Sequence, residues 1–166
     1  MMKRRIAGVL LVVGMLSWAG LYAQSQTAQT TFLVTARVQA VCEVTSNDLN
    51  FGTYNPKASS PHQVSSLVRA TCTPGATYQV GLNEGTSPGA TINQRKMVSG
   101  SNTLNYQLYS DSARSVIWGN TQNTDTVTPP AGTGLPQDLP VYGSIPPAQP
   151  AAVGDYSDTI TVRVYY

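Results

Sequence analysis

With 166 residues, a formal net charge of +2 and 41% hydrophobic residues, the chain lacks the high charge and low hydrophobicity of a disordered protein and can bury the core of one domain. Three of its ten Lys and Arg residues, Lys3, Arg4 and Arg5, sit in the first segment, which leaves seven bases against eight acids beyond it. Binding to nucleic acid or to an anionic membrane surface therefore has no compositional support.

The basic residues precede an apolar run from Ile6 to Trp18, and Ala19-Gly20-Leu21-Tyr22-Ala23 forms a cleavage site before Gln24. Residues 1–23 thus read as a secretory signal peptide, because the apolar run is shorter than the roughly 20 residues a bilayer requires. No other stretch is a transmembrane candidate, so no membrane insertion is expected. Gln24 to Thr30 is a small, polar leader. In Thr31 to Val41, Phe32, Val34, Ala36, Val38 and Ala40 share one parity, while Thr35, Arg37 and Gln39 occupy the other. That is the pattern of a half-buried strand, yet no tight-turn signal gives it a hairpin partner.

Cys42 and Cys72 are the only cysteines, and an even pair in an exported chain predicts one disulfide. With His62 as the sole histidine, in a Ser-Pro-His-Gln loop, the thiols do not make a zinc site. Cys42 to Val44 and Leu49 to Tyr54 read as one strand interrupted at Ser46-Asn47-Asp48. Val64 to Thr73 follows, broken in its alternation by Leu67. Thr73-Pro74-Gly75 then predicts a turn, and Ala76 to Asn83, with Tyr78, Val80 and Leu82 in phase, reads as the returning arm of a hairpin.

The interval Asn83 to Ala90 is rich in glycine but lacks the Gly-Lys-Ser/Thr ending of a phosphate loop, so it is a surface loop. Arg95 to Val98 and Thr103 to Tyr109 form the next hairpin, with Leu104, Tyr106 and Leu108 facing inward. A polar turn at Ser110 to Ser115 leads to Val116-Ile117-Trp118-Gly119. Asn120 to Pro140 reads as an irregular crossing with a short edge strand at Thr126 to Thr128. Leu139 to Ile145 carries a short strand around Val141-Tyr142, and Tyr156 to Tyr166 alternates with Ile160, Val162, Val164 and Tyr166 on one face.

These signals predict an all-β, immunoglobulin-like sandwich. About six body strands follow from Cys42 onward, where such a sandwich wants seven, and the absent one belongs beside the last strand. Catalysis finds no footing. The acids are scattered in turns, with Asp155 and Asp158 the nearest pair, and His62 is the only imidazole for a nucleophile. No Gly-x-Ser-x-Gly elbow occurs. No cofactor is expected. The alternative to a structural subunit is a self-complemented secreted adhesin or carbohydrate-binding β-sandwich, in which Trp118 and the nine tyrosines would supply a stacking surface.

Several blocks carry a resemblance. They are Cys42-Glu43-Val44, Leu49-Asn50-Phe51-Gly52-Thr53-Tyr54, Ala70-Thr71-Cys72-Thr73 and Tyr78-Gln79-Val80-Gly81-Leu82-Asn83. Arg95-Lys96-Met97, Leu104 to Tyr109, Val141 to Pro146 and Gly154 to Thr159 follow in the same order. Together they resemble the spore coat protein U domain family, which includes pilin subunits of chaperone-usher systems, notably the archaic type.

The resemblance implies an incomplete immunoglobulin-like fold lacking its final strand. A periplasmic chaperone would lend that strand first, and the N-terminal extension of a neighbouring pilin subunit would replace it at an outer-membrane usher. On this reading residues 24–41 are the extension and residues 42–166 the pilin-like domain. Phe32, Val34, Ala36, Val38 and Ala40 are the donor residues, and Ile160, Val162, Val164 and Tyr166 belong to the acceptor groove. The destination would be the cell surface, as a fibre or coat.

Overall fold

The alternating segments of the body pair into antiparallel ladders, and the computed structural model describes residues 25–166. The expected signal segment lies outside the described residues. Seven strands are present among them: β1 (Cys42–Ser46), β2 (His62–Cys72), β3 (Gln79–Leu82), β4 (Arg95–Ser99), β5 (Asn102–Tyr109), β6 (Gln137–Ile145) and β7 (Val162–Tyr165). Five form one antiparallel sheet in the order β1-β2-β6-β5-β4, and β3 pairs with β7 in a second. No helix occurs among the described residues, and none is long and apolar enough to cross a membrane.

The two sheets bury one core. Its residues keep the period-2 spacing of the sequence: Val68, Ala70 and Cys72 on β2, Val80 and Leu82 on β3, Leu104, Tyr106 and Leu108 on β5, and Leu139, Val141 and Ile145 on β6. Tyr78 and Trp118 complete it. Trp118 is not a surface platform. Its indole N–H donates to the Val80 carbonyl at 2.8 Å inside the core.

Cys42 and Cys72 face each other in the β1–β2 register and are joined as a disulfide, with Cα atoms 4.1 Å apart. The β4–β5 hairpin closes through Gly100-Ser101, where Gly100 takes a φ of +59° at the first loop position, as a two-residue hairpin turn favours.

Five expectations need correction. From Cys42 onward the described residues carry seven strands rather than about six, because the segment around Val116 to Thr128 contributes only bridges while each longer alternating run forms its own strand, so the count of strands does not by itself mark one as absent. β2 and β3 do not form a hairpin. Both edges of β2 are already taken, by β1 and β6, and the backbone of the Thr73–Ala76 turn bonds instead to Gly132, so the chain crosses to the other sheet. Leu49 to Tyr54 is not a strand. The chain leaves the sheet after Ser46, and its apolar side chains pack inward from a loop.

The strand around Val141 is longer than the sequence suggests and runs in mid-sheet through Pro140. Pro140 is tolerated because β5 pairs β6 only at Tyr142, Gly143 and Ser144, leaving no ladder to break on that edge. The terminal strand is shorter, since Ser157 pairs with Val98 of β4 and the β3 ladder begins only at Val162. By contrast the Thr126 to Thr128 edge element is present in reduced form, as a single bridge between Val127 and Val80.

Residues 25–41 carry no strand. Val41 alone is held by its backbone, its carbonyl accepting the Thr73 N–H and its N–H bonding the Thr73 hydroxyl, while Phe32, Val34 and Val38 are 85%, 77% and 83% exposed, with Ala36 and Ala40 exposed as well.

Candidate functional site

β7 is hydrogen-bonded to β3 along one edge, and its other edge has no strand partner among the described residues. An unpaired edge is a row of backbone donors and acceptors open to another strand. Beside it lies a groove of about 980 Å³ that opens into the sandwich. Val68, Leu82, Leu104, Tyr106, Leu108, Val141 and Ile145 form its apolar floor.

One rim continues from β1 as residues 47–54. The Asn47 N–H bonds the Leu67 carbonyl, and the Ser66 hydroxyl donates to the carbonyls of Asn47 and Asp48. Leu49 and Phe51 then turn inward over Gly143 of β6. A Cβ built on Gly143 would lie 2.9 Å from Phe51 Cζ and 3.0 Å from both Leu49 methyl carbons, so only glycine admits these side chains. The Phe51 ring also meets Tyr106 edge-on, with centroids 6.1 Å apart. Its carbonyl accepts the His62 Nε2–H at 2.5 Å. The Tyr54 hydroxyl donates to the Pro146 carbonyl and accepts the Gln149 N–H.

The opposite rim, residues 151–160, leads into β7 and is fastened by Asp158. Its carboxylate accepts the Thr86 and Thr159 N–H groups at 2.8 Å each, the Thr86 and Ser87 hydroxyls, and the Tyr106 hydroxyl at 2.7 Å. Burial first, and then the bond to Asp158 and its negative charge, push the Tyr106 hydroxyl far above the ordinary tyrosine range, so it is a proton donor at every physiological pH.

Of the expected acceptor residues, Ile160 and Val162 line the groove. Val164 is half-buried opposite Val80 at the part of the ladder beyond the groove, and Tyr166 is 63% exposed. The structure adds Leu49, Phe51, Tyr54, Tyr106, Gly143 and Asp158 to the site. Leu49 and Phe51 do share parity in the sequence, but that signal reads as strand. What bends it into a rim is Asn50-Phe51-Gly52, where Gly52 has a φ of +65° and its N–H bonds the Asn50 side chain. Among the described residues no group of three or more His, Cys, Asp or Glu side chains could hold a metal.

Known proteins resemble this chain in sequence and in fold. Residues 28–163 match the Spore Coat Protein U domain. The chain belongs to the Spore Coat Protein U domain family. A curated relative, Protein U of Myxococcus xanthus, is 31% identical over 179 residues, covering 99% of this chain and 98% of the relative.

Among solved structures, this family member is similar to one chain of the CsuC–CsuE chaperone–tip adhesion subunit pre-assembly complex from the archaic chaperone-usher Csu pili of Acinetobacter baumannii. The TM-score is 0.56 with 29% identity. The match covers 78% of this chain and 40% of the solved one, so the chain spans less than half of that structure's length.

Proposed function

We propose that this family member is an exported structural subunit of a surface fibre or coat, and that its sandwich is completed by a strand from another molecule. The single observation that carries the reading is the unpaired edge of β7 beside a groove with an apolar floor. The exposed, alternating segment 31–41 supplies the chemistry such a groove accepts. Backbone bonds to the β7 edge would give affinity, and alternate side chains entering the groove would give selectivity. Residues 1–23 direct export, residues 24–41 are the donor extension, and residues 42–166 are the acceptor domain.

A periplasmic chaperone fills the groove during transit, and an outer-membrane usher oversees its replacement by the extension of a neighbouring subunit. The likeness to a chain from a chaperone–subunit complex supports the chaperone step. The family's description supports a coat as readily as a pilus, and both would be built from the same joint. The family and the groove point to a structural role rather than to catalysis.

Burying Phe32, Val34 and Val38 at roughly 1.5 to 3 kcal/mol each amounts to about 5 to 9 kcal/mol before ordering costs. The test compares the full chain with one carrying a second copy of residues 31–41 after Tyr166 through a flexible linker. The appended strand raises the melting temperature by about 10 °C or more. An unchanged melting temperature removes the groove as an acceptor.

A further inference from the structure

The groove is not uniform along its length. On the inward face of β6 the residues run Val141, Gly143, Ile145, and only the outer two line the cavity. The middle position is already occupied, because Phe51 and Leu49 of the rim lie in van der Waals contact with Gly143 and the Phe51 ring stands against Tyr106. An incoming strand therefore meets room, an obstruction, then room, at a spacing of two residues of β6, about 7 Å.

The donor parity of residues 31–41 runs Phe32, Val34, Ala36, Val38, Ala40. Ala36 is the only small residue in this set with large apolar neighbours two residues away on both sides. Resting on the groove reading above, we propose that Phe51 selects the incoming strand by size, that Ala36 is the residue that passes over it, and that the occupant so selected is a second copy of this chain. Val34 and Val38 then enter the space on either side, over Val141 and Ile145. A strand with a bulky residue at the central position would have to displace the Phe51 ring. That ring is wedged between Gly143 and Tyr106 and tethered through its own carbonyl to His62, so overpacking is not relieved by a rotamer change alone.

The proposal makes Phe51 a specificity residue, and a size swap across the joint tests it. Four proteins are made from the full chain with the appended strand: each combines wild type or F51A in the body with wild type or A36L in the appended copy only, the chain's own residue 36 being unchanged. In the wild-type body, A36L lowers the melting temperature by about 5 °C or more relative to the unaltered strand. In the F51A body the order reverses, and the A36L strand stabilises more, because its side chain fills the space the ring has left.

Comparing strands within each body cancels whatever F51A does to the fold by itself. Equal melting temperatures for the two strands in the wild-type body, or the same penalty for A36L in both bodies, overturn the proposal. Failure of the unaltered strand to stabilise the wild-type body at all would instead refute the acceptor groove itself.

Discussion

Arg95 is a charge fully buried in the sandwich, with Asp125, Asp158 and Glu84 acting on it through their charge but none of them bonded to it. Its Nε donates to the Asn83 carbonyl, Nη1 to Gln107 Oε1, and Nη2 to the carbonyls of Leu82 and Trp118, at 2.6 to 2.9 Å. Burial lowers its pKa from the usual arginine value, yet a guanidinium does not lose its proton in a folded protein, and the four acceptors replace its water. The arrangement ties the β4–β5 hairpin to the end of β3, and Gln107 is buried for the same reason.

Tyr106, opposite Arg95 in the register, brings the second buried polar contact, to Asp158. Because its folded pKa is raised, mainly by burial and then by Asp158, the sign of the linkage is fixed. Below about pH 10 both folded and unfolded chains hold the proton and the contribution is complete; above it the unfolded chain releases a proton that the folded one keeps. Stability therefore falls with rising pH by about 1.4 kcal/mol per unit for this group. Denaturant melts at pH 9, 10 and 11 read this directly. Y106F lowers stability at pH 9 by removing the bond to Asp158, and flattens the decline above pH 10. An undiminished slope in Y106F would show that other groups carry it.

β1 is five residues long, pairs with β2 alone, and is exposed over most of its length. Such an edge strand holds weakly by its own ladder, so the Cys42–Cys72 bond at its first residue matters out of proportion to the area it covers. The bridge spans 30 residues, a loop whose closure in the unfolded chain is worth about 3 to 4 kcal/mol. C42S/C72S should lose about that amount in a urea melt, and its amides at 43–46 should exchange with solvent much faster than those of β6. Retained protection at 43–46 would mean that packing, not the bridge, holds the strand.

This pair was also among the most legible features of the sequence, since two cysteines behind a segment that reads as a signal peptide leave little choice. Legible too were the β4–β5 hairpin and the inward set Leu104, Tyr106 and Leu108, because local turn chemistry and strict alternation agree there. The partner of each remaining strand was not legible. A turn such as Thr73-Pro74-Gly75 reverses or redirects a chain equally well, and the choice depends on whether the edges of β2 are free, which is decided in part by the distant strand β6, whose Gln137 pairs with Ala70 and Ile145 with His62. The groove was half legible for a related reason. Parity put Ile160 and Val162 on one face of a strand and the family resemblance turned that face to the groove, whereas Phe51 and Gly143 act through a contact between a loop and a distant strand that no local pattern records.

If the donor segment and the groove belong to every copy, the joint between copies is heterologous: one surface of a molecule meets a different surface of the next. Such contacts close into rings only when the rotation between copies allows it, and otherwise extend without limit. A self-complementary pairing of like surfaces, which would give a dimer, has no counterpart in this arrangement. The purified full chain, concentrated without a chaperone, is therefore expected to form head-to-tail polymers of many lengths. Each joint buries the apolar donor residues and adds a strand to β7, so its dissociation should be slow enough to persist through an unheated detergent gel. Such a gel should show a ladder that heating collapses to the single-chain band under non-reducing conditions. Excess synthetic peptide of residues 31–41, added before concentration, should shorten the ladder by occupying grooves, while deletion of residues 24–41 should leave a chain that accepts the peptide but forms no ladder. A ladder that survives the deletion would show that copies associate through some other surface.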